Sequence, residues 1–282
     1  MTQKEKAKLV PVSREPALLT ERDADKSPVL ECIDLGITFG GLKAVDNFNV
    51  TIGRTEIAGL IGPNGAGKTT LFNIISGVYA PTSGKVFLGD EDITGLRPYQ
   101  ICRKGIARTY QNINLFHNMT TMENVKIGCH HNAKSNLFSD IVRTKGQREE
   151  EKAIEQKCLE LLRFVGLEGK KDFLSKNLSY GDQRRVEIAR AMATEPKLLL
   201  LDEPAAGMNS AEKVELTELI RKINDRGITV LLVEHDMKLV MNVTHEISVL
   251  NFGKKIAQGS PKEIQENPDV IEAYLGGGLV GE

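Results

Sequence analysis

A glycine-rich loop between an apolar run and a helical segment constrains this chain more than any other feature of its sequence. The apolar run covers residues 56–61, the loop spans Gly62–Gly67, and Lys68-Thr69-Thr70 begin the helical segment. A strand that leads through a loop into a helix is the opening of a βαβ unit. Because the loop fits the pattern G-x-x-x-x-G-K-[ST] in this context, we predict an α/β domain that binds phosphate groups.

The residue types in this loop suit a triphosphate such as that of ATP. Glycines let backbone N–H groups approach phosphate oxygens closely, and the helix that begins near Lys68 adds the positive end of its dipole. We expect Lys68 to reach the β- and γ-phosphates and the Thr69 hydroxyl to bind Mg²⁺. The residues predicted to bind the nucleotide here are Gly62, Pro63, Asn64, Gly65, Ala66, Gly67, Lys68, Thr69 and Thr70.

Further short apolar runs predict the sheet to which this unit belongs. They lie at residues 198–201, 229–233 and 247–250. Runs that are apolar on both faces are typical of strands in a buried parallel sheet, and the helical pattern at 211–225 suits a crossover between two of them. Residues 29–39 and 44–52 are predicted as two earlier strands, joined by a turn at Gly40-Gly41.

The pattern between about residues 112 and 195 is mostly helical. Apolar side chains recur there at helical spacing with Glu and Lys between them, which indicates a helix that packs one face against a core. This stripe consists of Ile154, Cys158, Leu161, Leu162 and Val165. We therefore predict a helical insert at about 112–195 within one folded domain of residues 28–282. Residues 1–27 are polar and charged without periodicity, which favours a disordered extension.

The composition argues against nucleic-acid binding and against a membrane-spanning chain. Lys and Arg number 37 against 38 Asp and Glu, so the net charge of −1 gives no pull toward nucleic acid. A spanning helix needs about 20 apolar residues, and the apolar runs are much shorter. The four cysteines form no C-x-x-C pair, which favours a reduced, cytosolic protein. His130-His131 has no partner at metal-ligand spacing and is interpreted as a surface loop.

Two acids and a histidine follow predicted strands. Asp202 and Glu203 come directly after the apolar run 198–201, and His235 follows the run 229–233. Ligands of open α/β sheets bind beyond the carboxyl ends of the strands. We therefore expect Asp202 to hold Mg²⁺, Glu203 to polarise the attacking water, and His235 to reach the γ-phosphate.

The eight residues from Leu178 to Arg185 separate this chain from other proteins with a phosphate loop. They read Leu-Ser-Tyr-Gly-Asp-Gln-Arg-Arg, about 20 residues before Asp202. This string resembles the signature motif of ABC ATPases, which normally reads L-S-G-G-Q. Ser179 and Gly181 are predicted at a helix N-terminus, where free N–H groups and a hydroxyl can bind a phosphate.

Three positions depart from the pattern of that family. Tyr180 and Asp182 replace the usual Gly and Gln, and Asn209 replaces the usual aspartate of the loop after Glu203. A carboxylate near a triphosphate weakens binding unless it points away or pairs with a base such as Arg184. A direct contact between Asp182 and the γ-phosphate is therefore left open.

The resemblance to ABC ATPases implies roles for further residues. Phe39 resembles the aromatic residue that stacks on adenine, with a core aromatic as the alternative. Gln111 resembles the Q-loop glutamine, which contacts Mg²⁺ or water and couples the nucleotide to the membrane partner. His235 resembles the switch histidine. The resemblance implies a P-loop NTPase core of RecA type with an N-terminal antiparallel β-subdomain and an inserted α-helical subdomain.

Four segments narrow the resemblance to one group within the family. They are Tyr180–Arg185, Glu203–Asn209, Glu234–Val240 and Ala273–Gly276. Together they resemble the ATPase subunits of bacterial branched-chain amino-acid importers, and among these the G-type member of the paired ATPases. The resemblance covers nearly the whole chain after about Pro28.

The resemblance also implies a mechanism. Two chains, either identical or sister ATPases, enclose each ATP between the phosphate loop of one and the signature of the other. The implied catalytic residues are Glu203, His235 and Gln111, the implied Mg²⁺ ligands are Thr69, Gln111 and Asp202, and the implied signature contacts are Ser179, Gly181 and Asp182. Two permease subunits in the cytoplasmic membrane and, indirectly, a periplasmic substrate-binding protein would be the partners, at the cytoplasmic face of the bacterial inner membrane.

Other functions remain open on the sequence. Closely similar ATPases serve the uptake of urea or short amides and the export of lipopolysaccharide, so the cargo depends on resemblance alone. A soluble ABC ATPase that acts on nucleic acid is disfavoured because the chain has no coiled-coil or zinc insertion. A module that binds nucleotide without hydrolysing it is disfavoured because Glu203 and His235 are present.

Overall fold

The computed structural model describes residues 28–129 and 145–276. The predicted extension at 1–27 and the pair His130-His131 lie outside the described residues. The strands are β1 (Leu30–Phe39), β2 (Leu42–Ile52), β3 (Ile57–Ile61), β4 (Ser83–Leu88), β5 (Glu91–Asp92), β6 (Ile106–Arg108), β7 (Leu198–Asp202), β8 (Thr229–Val233), β9 (Glu246–Asn251) and β10 (Lys254–Gly259). The helices are α1 (Lys68–Ile75), α2 (Pro98–Lys104), α3 (Thr121–Cys129), α4 (Lys145–Phe164), α5 (Tyr180–Met192), α6 (Ser210–Asp225), α7 (Met237–Val243), α8 (Pro261–Glu266) and α9 (Pro268–Gly276).

The first part of the chain forms an antiparallel sheet of order β2-β1-β4-β5. Its first hairpin turns at Gly40-Gly41, where both residues have positive φ angles that suit glycine. Leu35 and Phe48 on the buried face pack with Phe72 of α1 in one apolar cluster. The small sheet is thereby fastened to the helix that follows the glycine-rich loop.

The second sheet has the order β10-β9-β3-β8-β7-β6 and is parallel except for the edge strand β10. Every residue of β3, β7 and β8 is buried, as expected for strands covered on both faces. Because parallel strands end at the same edge, the residues after β3, β7 and β8 meet there. This edge carries the glycine-rich loop, the two acids and His235.

Helices α3, α4 and α5 lie between β6 and β7, with short 3₁₀ turns at Glu168–Lys170 and Ser175–Asn177. The predicted apolar stripe of α4 is confirmed as core packing. Cys158, Leu161, Leu162 and Val165 are buried in one cluster, with the partly buried Ile154 against it. The bounds 112–195 of a separate helical unit stay a prediction.

All four cysteines are free thiols, and two of them are neighbours in space. Cys129 at the end of α3 and Cys158 of α4 have their sulfur atoms 3.5 Å apart in a buried contact. This contact lowers the pKa of Cys129 to about 7 and raises that of Cys158. Their separation of 29 residues concealed the pair from spacing arguments.

The fold class predicted from the sequence is confirmed: a P-loop α/β core, an antiparallel β-sheet in the N-terminal part of the chain and helices inserted between β6 and β7. Among the residues that the structure describes, no helix is long and apolar enough to cross a membrane.

Candidate nucleotide-binding site

The glycine-rich loop has a backbone that side chains would disrupt. Gly62 has φ +153°, and a Cβ there would lie 2.1 Å from the carbonyl oxygen of Leu250. Gly67 has φ +105°, and its Cβ would lie 2.5 Å from the carbonyl oxygen of Ala44. Both contacts involve backbone atoms that cannot swing away, so these positions require glycine. The loop is thereby packed against β9 and β2 in a fixed shape.

Lys68 is buried at the start of α1 and is held by the loop itself. Its Nζ donates to the carbonyl oxygens of Gly62 at 2.7 Å and Pro63 at 2.9 Å. Burial lowers the pKa of Lys68, while the charges of Glu203 and Asp202 oppose that fall. The ammonium group therefore lies among oxygen atoms inside the loop, where phosphate oxygens of a nucleotide can replace the two carbonyl groups.

Asp202 ends β7 and forms a buried ion pair that the sequence reasoning did not predict. Its Oδ2 accepts a hydrogen bond from Arg108 Nη2 at 2.7 Å. Arg108 also donates to Asn73 Oδ1 and Ser76 Oγ of the α1 region. The sequence signal that could have pointed to Arg108 is its position directly before the segment that carries Gln111. Since one carboxylate oxygen is engaged, the other is the one that fits a metal ion.

Glu203 lies between two of the predicted partners. Its Oε1 is 2.7 Å from His235 Nε2, and its Oε2 accepts a hydrogen bond from Gln111 Nε2 at 2.8 Å. The backbone of Glu203 has φ +47°, a conformation that costs a side-chain residue about 1–3 kcal/mol and is common at functional sites. Three residues from three separate segments thus meet around one carboxylate.

Glu234 is a further residue of this edge to which the sequence reasoning gave no role. It is buried, and its carboxylate accepts hydrogen bonds from the N–H groups of Ala205 at 2.6 Å and His235 at 3.0 Å. Burial raises its pKa, and these hydrogen bonds oppose the rise. Glu234 therefore fixes the backbone on both sides of the contact between Glu203 and His235.

The signature residues open a helix, as predicted. Ser179 caps α5 and its Oγ accepts a hydrogen bond from the Asp182 N–H at 3.2 Å. Asp182 pairs with a base, one of the two alternatives that the sequence left open, but that base is Lys170 and not Arg184, which pairs with Glu187. Lys170 comes from a 3₁₀ turn that spacing along the sequence does not place next to α5. Its ammonium group compensates the carboxylate beside the helix N-terminus.

Asn209 caps α6, a role that aspartate fills equally well, so the structure does not explain the departure from aspartate. Its side chain accepts hydrogen bonds from the N–H groups of Ala211 and Glu212, and the Asn209 N–H donates to the Glu212 carboxylate at 3.0 Å. This capping box starts α6. Glu212 also lies against Gly181, whose Cβ would be 2.7 Å from its Oε1. The start of α6 therefore packs directly on the signature.

Phe39 ends β1, with its side chain 45% exposed and its ring edge-on to Tyr79 at 5.4 Å. Phe39 pairs with Leu42 in the register of β1 and β2, and Ala44, two residues further along β2, has its carbonyl oxygen against Gly67 of the phosphate loop. An exposed ring in this place suits a nucleotide base better than the alternative of a core aromatic.

The donor set of this edge fits a magnesium nucleotide. The loop offers N–H groups and an ammonium group for phosphates, while the Thr69 hydroxyl, an Asp202 oxygen and the Gln111 amide oxygen are hard ligands of the kind that Mg²⁺ prefers. Thr69 is exposed, so its hydroxyl is accessible from solvent. The arrangement can bind a triphosphate and place a carboxylate near its terminal phosphate.

Comparison with known proteins gives a consistent result. The family described as ABC transporter matches residues 45–206, and the family described as branched-chain amino acid ATP-binding cassette transporter matches residues 254–280. The chain is 47% identical to the high-affinity branched-chain amino acid transport ATP-binding protein LivG of Escherichia coli K12, over 88% of this chain and 98% of that protein. It is 44% identical to the corresponding protein BraF of Pseudomonas aeruginosa over the same shares.

Solved structures agree with the sequence relatives. The ADP conformation of an ATP-binding cassette of an ABC transporter superposes with a TM-score of 0.78 at 32% identity, over 88% of this chain and 99% of that one. A dimeric cassette in a post-hydrolysis state, bound to ADP and phosphate, superposes with a TM-score of 0.69 at 25% identity, over 82% and 98% of the two chains.

Proposed function

The chain belongs to the ABC transporter family and is an ATPase of that type, and from this premise we propose that it energises the uptake of branched-chain amino acids through partner permeases. The contact of Glu203 with both Gln111 and His235 carries the catalytic part of the proposal. It gathers a base and two polar groups at the strand edge next to the phosphate loop.

In the proposed reaction, water attacks the γ-phosphorus and the bond to the β–γ bridging oxygen breaks. Glu203 accepts a proton from the water, and ADP and phosphate leave. Gln111 and His235 orient the water and the γ-phosphate, and Lys68 stabilises the charge that develops. Because both oxygens of Glu203 are engaged here, one of its contacts must give way for water.

Thr69, Asp202 and Gln111 are the residues proposed to hold Mg²⁺. When bound, Mg²⁺ neutralises charge on the β- and γ-phosphates. Arg108 supports this role because its ion pair fixes the orientation of the Asp202 carboxylate. Phe39 is proposed to stack on adenine, and the loop residues Gly62–Thr70 to bind the phosphates.

A second chain is proposed to complete the site through Ser179 and Gly181. The cap at Ser179 leaves the first N–H groups of α5 to bind an anion. The ion pair with Lys170 compensates the charge of the Asp182 carboxylate next to this position. The dimer reported for the related post-hydrolysis cassette supports this assembly. The second chain is proposed to be a sister ATPase or a second copy.

A groove of about 390 Å³ is proposed to receive a cytoplasmic helix of a permease. It lies between α2, the Gln111 segment, α3 and α5, and Tyr99, Tyr110, Ile127, Glu187 and Arg190 are among its walls. Aromatic and aliphatic walls with charged groups suit an amphipathic helix. This groove supports a place for the chain at the cytoplasmic face of the membrane, with a periplasmic binding protein as an indirect partner.

The cargo is proposed from the relatives. The curated relatives named above are branched-chain amino acid transport proteins, and the family matched at residues 254–280 is described for the same cargo. Urea, short amides and lipopolysaccharide remain the alternative cargoes. Purification of the tagged chain from solubilised membranes, with its partners identified by mass spectrometry, tests this: permeases and an amino-acid-binding protein are expected, and their absence would contradict the importer assignment.

The catalytic proposal is tested with Glu203→Gln. We expect the variant to bind ATP as tightly as the unaltered chain, to lose steady-state hydrolysis, and to accumulate a closed dimer with ATP, because the amide accepts no proton from water. Calorimetry, phosphate release and size-exclusion chromatography measure the three properties. Lys68→Ala is the control, expected to lose tight ATP binding and therefore the dimer. Normal hydrolysis by Glu203→Gln within the assembled transporter would remove Glu203 from its role.

A further inference from the structure

Arg184 is a fully buried arginine of α5 whose guanidinium group reaches back to the segment that carries Gln111. Its Nη1 donates to the carbonyl oxygen of Tyr110 at 2.6 Å, and its Nη2 donates to that of Gln111 at 2.7 Å. Two successive carbonyl groups are thus held by the two arms of one planar group. A lysine ammonium, with a single nitrogen, cannot reproduce this fork.

Glu187 holds the same segment one turn further along α5. Its Oε2 accepts a hydrogen bond from Arg184 Nη1 at 2.7 Å, and its Oε1 lies 3.5 Å from the Tyr110 N–H. Burial raises the pKa of Glu187, and the charge of Arg184 opposes the rise. The backbone of Tyr110 is therefore gripped at both its N–H and its carbonyl group. Because the pair is buried, water does not replace a contact that breaks.

Tyr180 extends these contacts toward the loop after Glu203. Its hydroxyl lies 3.5 Å from Arg184 Nη2, and its ring would be 3.3 Å from a Cβ placed on Gly207. The family usually has glycine at the position of Tyr180, which cannot make either contact. The substitution therefore adds a side chain that joins the signature to the loop that follows the proposed base.

This network runs from the N-terminus of α5, proposed to meet the ATP of the second chain, to Gln111, which contacts the proposed base Glu203. Ser179 caps α5 at the end proposed to meet the ATP of the second chain, and Arg184 follows about one and a half turns later. We call the hydrogen bonds from Arg184 to the carbonyl oxygens of Tyr110 and Gln111 the clamp. On its other side, the Gln111 side chain donates to Glu203 at 2.8 Å. A continuous path of one helix, one guanidinium group and one backbone segment therefore joins the signature to the base.

We propose that Arg184 is a positioning residue that makes the placement of Gln111 against Glu203 depend on the signature of its own chain. When the N-terminus of α5 binds a γ-phosphate, the helix shifts as one body and the clamp carries the Gln111 backbone with it. ATP bound at one site of the dimer thereby changes the placement of Gln111 at the other site. This inference rests on the proposed function, because it requires ATP bound between two chains.

The experiment compares Arg184→Lys with Arg185→Lys in the assembled transporter. Arg185 is the matched control, since it is the next residue of α5 and pairs with Glu215 at the surface. Hydrolysis is measured as kcat and KM for ATP. Hydrogen exchange of the amides at residues 109–113 is measured with and without ATP and Mg²⁺ in a Glu203→Gln background. In this background ATP is not hydrolysed during the measurement, so the chain stays in the ATP-bound state.

We expect Arg184→Lys to lower kcat by roughly tenfold while KM for ATP stays within about twofold, a coupling of ordinary size. In the Glu203→Gln background the variant should still form the ATP-dependent dimer but lose the ATP-dependent change in exchange at residues 109–113. Arg185→Lys should match the unaltered chain in every respect. If Arg184 only stabilised the fold, its replacement would alter the thermal unfolding midpoint or ATP binding. The molecules that remain folded would then keep the ATP-dependent change in exchange at residues 109–113.

A second variant guards against misfolding. Arg184→Gln combined with Glu187→Gln removes both charges of this buried pair together, so neither is left without the other. It should fold and show the same loss of kcat and of the exchange response. An exchange response equal to that of Arg185→Lys in either variant would overturn the inference alone. Failure of Glu203→Gln itself to form an ATP-dependent dimer would overturn the proposed function, and this inference with it.

Discussion

At the scale of single residues, the candidate site is a set of charged side chains, each held by hydrogen bonds to groups that the fold brings next to it. Glu203 is strained at φ +47° and is held by Gln111 and His235. Lys68 is held by two carbonyl oxygens of its own loop. Such contacts fix side chains before a nucleotide arrives, which lowers the entropic cost of ordering them during the reaction.

Glu234 predicts a measurable pH dependence of stability. Burial raises its pKa above the ordinary value of 4.5, so between that value and the raised pKa the folded chain keeps a proton that the unfolded chain has lost. Its contribution to stability is fully present below the unfolded pKa and is lost as the pH rises through the folded pKa. Glu234→Gln, which does not titrate, should therefore lose less stability over this range.

Denaturant unfolding at a series of pH values from about 4.5 upward measures this effect as the difference in slope between the two proteins. Asp236 is the control: its hydrogen bond to Lys213 lowers its pKa from the ordinary value of 3.8, so its contribution to stability is lost only as the pH falls below that value, and Asp236→Asn should leave the slope above about pH 4.5 unchanged. Equal slopes for Glu234→Gln and the unaltered chain would contradict the prediction.

At the scale of elements, two of the helices that begin at the site, α5 and α6, are started by side-chain caps. Ser179 starts α5 and Asn209 starts α6, and the latter is part of a capping box with Glu212. Because Glu212 packs on Gly181, the cap of one helix supports the N-terminus of the other. The loop that contains Asn209 and the signature therefore form one packed unit.

Asn209→Ala should cost about 0.5–2 kcal/mol of unfolding free energy, because it removes the acceptor for two N–H groups. It should also reduce hydrolysis, since Glu212 beside Gly181 loses its anchor. Ser260→Ala is the matched control: Ser260 forms the same kind of capping box with Glu263 at the start of α8. Denaturant unfolding should show a similar cost for both, and steady-state hydrolysis should fall for Asn209→Ala alone. Equal hydrolysis in the two variants would contradict the link to the signature.

At the scale of the whole molecule, the proposed docking groove lies between the α/β core and the helices between β6 and β7. Arg108 and Glu187 both line it, and both also belong to the networks that hold Asp202 and Gln111. A partner that widens or narrows the groove therefore acts on side chains connected to the metal and base residues.

Tyr99→Glu tests the groove. Tyr99 is exposed on α2, and a carboxylate there should repel an apolar helix face and prevent recovery of permeases with the tagged chain. ATP binding, measured by calorimetry on the purified chain, should be unchanged because Tyr99 lies outside the nucleotide site. Ile33→Glu, an exposed apolar position on the small sheet, is the control. Equal recovery of permeases with both variants would contradict the docking site.

The sequence by itself determined the local features of this protein. A glycine-rich loop that requires positive φ angles, strands apolar on both faces and acids after a buried strand all depend on residues close together in the chain. These patterns predicted the α/β fold, the buried strands β3, β7 and β8 and the edge where the site lies. Local sterics and burial act within a few residues, so spacing along the chain is enough to reveal them.

The tertiary structure decided which side chains meet across distant segments. Lys170 with Asp182, Arg108 with Asp202 and Cys129 with Cys158 join segments that only folding brings together. Arg184 illustrates the reason: the sequence offered it as the partner of Asp182, two positions away, yet a side chain on a helix faces residues three or four positions away or another element. Buried charges seek the partners that packing supplies, and that choice depends on three-dimensional distance.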